Sequence, residues 1–190
     1  MKKLFLVFLM FGLFGISAAA ISDTTHHPLP FKSTARNRLI NEKAFEEVEV
    51  LNDTVRLQTM TVLEFKQLLG KHESGNNYQL TTESGFKGKY ALSDYVIGKL
   101  TELTPTQFLT NPNEQEIVMN KVIYLYLQFL KEEKLLKYVN QKIGGVFITL
   151  EKLLAGCHFS PKNLKLFLMS NGLTDFNDGS VSIGGYMASF

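Results

Sequence analysis

The sequence is short of several things, and each absence excludes a class of protein. It has a single cysteine, Cys157, so it can form no internal disulfide and no Cys-based zinc site. It has no excess of one charge. Lys2 and Lys3 account for the whole surplus of 20 basic over 18 acidic residues. The remainder is neutral, which argues against a polybasic surface for nucleic acid or anionic membrane, because counterion release needs many clustered cations. Beyond the N-terminus no apolar run is long enough to span a bilayer. Val122 to Leu130 is apolar but is flanked by Lys121 and Lys131. There is no repeat, no low-complexity tract and no G-x-S-x-G or H-E-x-x-H motif, so an esterase or amidase reading lacks its residues. The Asp175–Asp178 segment lacks the later Glu of an EF-hand loop and reads as a turn.

What is present begins with an export signal. Lys2 and Lys3 precede an apolar run from Leu4 to Ile16, and Ser17-Ala18-Ala19-Ala20 supplies a small-residue cleavage site. This predicts cleavage after Ala20 and a periplasmic or secreted protein with no stable membrane span. The apolar run is short for an uncleaved anchor of ~20 residues, and no Cys near residue 20 invites a lipid. Residues 21–58 read as a linker or lead-in segment with a short helix near Leu39 to Val48. His26-His27 within it reads as a solvent-exposed pair rather than a metal site.

Residues 59–190 read as one mainly α domain. Hydrophobic content is 45% with 15 Phe, enough to build a core. Thr61 and Glu64 form a capping box, and Val62, Phe65, Leu68 and Leu69 repeat at helical spacing up to about Glu73. Tyr78 to Tyr90 reads as an irregular loop or small hairpin, and Leu92 to Leu103 as helical. Thr104-Pro105 opens a short helix. A long helix is expected from Asn113 to about Tyr138, with Ile117, Val118, Val122, Leu125, Phe129 and Leu130 inward. Gly144-Gly145 breaks the chain. Further helices are expected over Thr149 to His158, from Ser160-Pro161 to Asn171-Gly172, and from Ile183 to Phe190.

Lys71-His72-Glu73-Ser74-Gly75-Asn76-Asn77-Tyr78 is the segment most able to carry chemistry. An acid ending an apolar helix is partly desolvated, which raises its pKa and suits it to donate a proton near neutrality. From spacing alone an ordinary helix-end acid on the surface is the better reading. Glu73-Ser74-Gly75 followed by Gly85-Phe86-Lys87-Gly88-Lys89-Tyr90 resembles the E-S-G…G-x-x-G-K-Y-Q-F pattern of bacterial lysozyme-like and lytic transglycosylase-like proteins. Leu153-Leu154-Ala155-Gly156-Cys157-His158-Phe159 is similar to their later A-A-x-H-L helix. The tail with Asp175, Asp178, Ser182 and Tyr186-Met187 is also similar.

The resemblance implies a lysozyme-like fold, with a small irregular or β insertion after the catalytic helix, that cleaves the MurNAc–GlcNAc bond of peptidoglycan glycan strands. Glu73 falls on the family's catalytic acid, with no metal or organic cofactor required. Ser74 and Asn77 would orient the acid or contact sugar, or simply cap the helix and form the turn. Tyr90 would meet sugar or sit half-buried in the core. His158 would line the groove or be a satisfied core histidine. Cys157 reads as a small packed residue. Glu83 is the nearest second acid, but the resemblance gives it no role. A single acid favours a lytic transglycosylase, since hydrolases use a second carboxylate. Ala91 replaces the pattern's Gln, and Ser160-Pro161 replaces a glycine-rich stretch, so a degenerate glycan-binding relative is the alternative.

Overall fold

A computed structural model describes residues 57–177, 179 and 181–190. The expected signal peptide, residues 21–56 with the short helix expected there and His26-His27, and Asp178 and Ser180 lie outside the described residues. Helix α1 spans Val62–Ser74, α2 Asp94–Leu100, α3 Pro105–Leu109 and α4 Pro112–Glu132. A 3-10 turn at Leu135–Tyr138 leads into strands β1 (Lys142–Ile143) and β2 (Val146–Phe147). Helices α5 (Leu150–Phe159), α6 (Pro161–Met169) and α7 (Ile183–Ala188) complete the described chain. The architecture is mainly α, as expected from the helical periodicities.

Local chemistry accounts for the element ends. The Thr61–Glu64 capping box closes the start of α1, Ser93 caps α2, and Thr104 with Gln107 boxes α3, each satisfying amide groups that the first helical turn leaves open. Ser160 caps α6 with Pro161 at its first position.

α5 is the centre of the core. Its residues from Leu153 to Phe159 are all buried, as suits a helix apolar on nearly every side. It packs against α7, α6 and α4.

Three expectations are revised. The helix expected over 92–103 is Asp94–Leu100, because Leu92 is held in a bridge with Lys87 and Thr101 is extended. The helix expected to run to Tyr138 ends at Glu132, since Lys134 adopts a left-handed backbone (φ 56°) that an α-helix cannot carry. The Gly144-Gly145 break is a hairpin turn between two short antiparallel strands, pairing Lys142 with Phe147 and Ile143 with Val146. By contrast, residues 78–92 form only the isolated bridges Thr81–Lys87 and Lys87–Leu92. Gly144 (φ 55°) and Gly172 (φ 82°) meet backbone to backbone, locking the hairpin against the end of α6 where any Cβ would collide.

The buried face of α4 is also rotated from the expected stripe. Gln115, Val118, Met119, Val122, Ile123 and Leu130 face inward, while Ile117 is 43% exposed. Buried Gln115 explains the phase. Its amide donates to the carbonyls of Tyr78 and Phe108, each at 2.9 Å, and its oxygen accepts from the Lys89 amide at 2.9 Å.

Candidate functional site

Val62, Phe65, Leu69 and Glu73 recur three or four residues apart, so they share the inward face of α1. The apolar stripe that drives α1 into the core therefore carries the Glu73 carboxyl with it. Gly75 (φ 66°) then ends the helix, its amide donating to the Lys71 carbonyl at 3.1 Å. Glu73 is 4% exposed. The Tyr186 hydroxyl, from α7, donates to Glu73 Oε1. Glu73 Oε2 is buried with no hydrogen-bond partner among the described residues. Burial pushes the carboxyl pKa from 4.5 up to about 7, although the Tyr186 hydrogen bond pulls the other way. A carboxyl that keeps its proton to about pH 7 can deliver it to a leaving oxygen.

Aromatic rings wall this acid. Tyr186 is fully buried and packs against Phe159 (centroids 5.3 Å), Phe190 (5.4 Å) and the edge of His72 (4.9 Å). Tyr126, from α4, is raised in pKa by burial and by the nearby Cys157 and Glu73. Burial also raises the Cys157 thiol well above its ordinary range, so it is an inert packed group.

The other sequence candidates divide into ties and surface groups. Ser74 Oγ donates to the Lys89 carbonyl at 2.7 Å and accepts from the Asn77 amide at 3.0 Å, joining the end of α1 to the following loop. Asn77 is exposed, and its Oδ1 accepts from the Gln79 amide at 2.9 Å. Tyr90 is 1% exposed, and its hydroxyl is held by Glu116 at 2.7–2.8 Å. His158 is buried. It hydrogen-bonds the backbone of Tyr90, and its Nδ1 lies 3.3 Å from the Tyr126 hydroxyl. Burial lowers its pKa to about 4, outweighing the Tyr90 bond, so the ring is neutral at pH 7. Its one N–H is then donated to the Tyr90 carbonyl, and Nδ1 accepts from Tyr126. Glu83 stands exposed in the turn after Thr82.

The structure thus gathers Glu73, Ser74, Tyr90 and His158 around the junction of α1, α5 and the 75–92 loop, with Asn77 at the outer surface. Ala91 has a left-handed backbone (φ 48°) and is buried, so the position where the resembled pattern has Gln offers no polar group.

Sequence reasoning passed over Glu116 and Tyr126, and noted Tyr186 only as part of a similar tail. Glu116 lies on α4 and accepts from Tyr78, Lys89, Tyr90 and Lys66. The available signal was Lys66, a charged residue set between Phe65 and Leu69 on the apolar face of α1. A buried Lys needs an anion.

Among the described residues, no group of three or more His, Cys, Asp and Glu could hold a metal ion, and no helix is long and apolar enough to cross a membrane. No protein-family model, curated protein or solved structure matches the chain.

Proposed function

We propose that the chain is an exported peptidoglycan-cleaving glycosidase of lysozyme-like fold, working as a lytic transglycosylase on the MurNAc–GlcNAc bond. One observation carries the reading. Glu73, the residue that falls on the resembled family's acid, is a buried carboxyl whose pKa is raised to about 7. As general acid it would protonate the glycosidic oxygen as the C1–O bond breaks. As the resulting carboxylate it would take the proton of the sugar's own 6-hydroxyl while that oxygen closes on C1. The product is an anhydro sugar, and no water is consumed. Among the described residues, burial raises the Glu73 pKa and the Tyr186 hydrogen bond lowers it, while Glu83, the nearest second acid in the sequence, stands exposed in its turn. That favours this chemistry over a hydrolytic muramidase, which would use a second acid.

A second reading rests on the 4% exposure of Glu73 and on Ala91. In that reading the fold holds cell-wall glycan without cutting it. Glu73→Gln and the wild-type chain, each incubated with purified cell wall, decide between them. Anhydro-muropeptides from wild type and none from Glu73→Gln support the transglycosylase. Products with reducing ends indicate a muramidase. Wall binding with no product from either protein supports the binder, and equal release from both removes Glu73 from the chemistry. An N-terminus at Ile21 in the exported protein would support the signal cleavage.

A further inference from the structure

Two tyrosine hydroxyls lie about the Glu73 carboxyl, and only one of them gives it a hydrogen bond. Tyr186, from α7, donates to Oε1, while Oε2 is buried with no partner among the described residues. Tyr126 reaches in from α4. Its hydroxyl is buried close enough to Glu73 for the carboxylate charge to raise its pKa, and the Tyr186 hydroxyl feels both groups. Cys157 adds a thiol from α5 that burial keeps neutral, and His72 adjoins Glu73 on α1. A carboxylate is the strongest acceptor in such a cluster, since hydrogen bonds to an ionised group are roughly twice as strong as neutral ones. The Tyr126 proton nevertheless goes elsewhere.

His158 accounts for that. Its Nδ1 lies 3.3 Å from the Tyr126 hydroxyl, and the two rings meet edge to face with centroids 6.2 Å apart. The imidazole is neutral at pH 7, so it carries one N–H. That N–H is committed to the Tyr90 carbonyl, which leaves Nδ1 bare and able only to accept. Tyr126 has a single proton to donate, and Nδ1 receives it. Tyr90 is itself immobile, 1% exposed and with its hydroxyl held by Glu116 at 2.7–2.8 Å. Its carbonyl is therefore a fixed acceptor that selects the His158 tautomer.

We propose that His158 is a positioning residue of the Glu73 site: by accepting the Tyr126 proton it withholds a second donor from the carboxyl. The wiring stands on the hydrogen bonds alone; its bearing on catalysis rests on the glycosidase reading above. With one donor the carboxyl keeps its proton to about pH 7. A second donor would stabilise the ionised form and release the proton at lower pH.

The test follows the Glu73 carboxyl by NMR titration of the full chain. His158→Leu removes the acceptor, frees the Tyr126 proton for Glu73 and should lower the Glu73 midpoint by about one pH unit. His158→Gln keeps an oxygen for Tyr126 and an N–H for Tyr90, and should hold the midpoint near wild type. In Tyr126→Phe/His158→Leu the fall should vanish, because the redirected donor is gone. Where His158→Leu does not fold, the ring nitrogen shifts of wild-type His158 decide: at pH 7 they should place a proton on Nε2 and none on Nδ1. An unmoved midpoint in His158→Leu overturns the proposal, as does an equal fall in the double variant or in His158→Gln, or a proton on Nδ1 in the wild type. On purified wall, the limb of the His158→Leu pH–activity profile that needs a protonated acid should retreat by the same unit. Midpoints that move as expected, in a protein whose wild type releases no muropeptide, refute the cleavage reading and support the wiring. Release of muropeptides with limb and midpoint both unmoved in His158→Leu does the reverse.

Discussion

Glu73 and Tyr186 are the pair on which proton chemistry would turn. Tyr186 donates to the carboxyl, which stabilises the ionised form and holds the pKa below what burial alone would give. Tyr186→Phe removes that donor and leaves the ring in place. The Glu73 pKa should then rise above about 7, and the limb of the pH–activity profile that needs a protonated acid should extend to higher pH. A carboxyl-selective NMR titration reads the same quantity without activity. A midpoint that falls would contradict the assignment. The helix that carries Glu73 was legible, but spacing alone favoured a surface acid, and the structure turns it inward on the face of Val62, Phe65 and Leu69. Its pKa was not legible, because burial depends on how α5 and α7 close over α1, and the modulating hydroxyl lies 113 residues away.

At the scale of elements, the starts of α1, α3 and α6 were legible and the ties between elements were not. Thr61, Thr104 and Ser160 cap amides three residues ahead, and such local bonds are written in local sequence. Glu151 shows the contrast. In the sequence it is an acid in the first turn of α5. In the structure it is fully buried, and its Oε1 accepts from the amides of Gln58 (2.8 Å), Thr59 (2.5 Å) and Met60 (3.3 Å), pinning the segment that enters α1. Burial works against its charge, but those amides prevail and its pKa is lowered. Glu151→Ala would orphan three donors and should cost about 2 kcal/mol, read as a lower midpoint in urea and faster proteolysis near residue 58. Unchanged proteolysis would show that the segment is held by other means. The hairpin at Gly144-Gly145 was missed for a similar reason. Two-residue strands carry no periodicity, and their stability comes from Gly172 on a distant helix end.

For the whole molecule, buried groups displaced in opposite directions should shape stability against pH. Glu73 keeps its proton in the folded state to about pH 7 but loses it near 4.5 when unfolded. Stability therefore falls as pH rises from 4.5 to about 7, by about 3 kcal/mol at roughly 1.4 kcal/mol per pH unit. His158 is displaced from 6.5 down to about 4, so the unfolded chain binds the extra proton in that window. Stability there rises with pH, by a similar amount, and His72, also lowered by burial, acts in the same sense. The two nearly cancel. Wild-type stability should be almost level from pH 4.5 to 6.5. It should then drop below 4.5 as Glu116, held down to about 2, begins to lose its pairing. Glu73→Gln removes one side of the balance, so its urea midpoint should climb from pH 4 to 6.5 and exceed wild type at pH 8. A variant profile as level as the wild type's would refute the compensation.

The amino-acid order by itself determined the helical class and the capped starts at Thr61, Thr104 and Ser160, because capping and amphipathic spacing act over three or four residues. Only the tertiary structure decided that Tyr90 and His158 are ties for the 75–92 loop, that Glu116 unites Lys66, Tyr78, Lys89 and Tyr90, and that Tyr186 meets the acid. Those outcomes depend on which side chains leave water together. Desolvation and charge pairing are properties of a packed neighbourhood, assembled here from α1, α4, α5 and α7, and no single segment contains them.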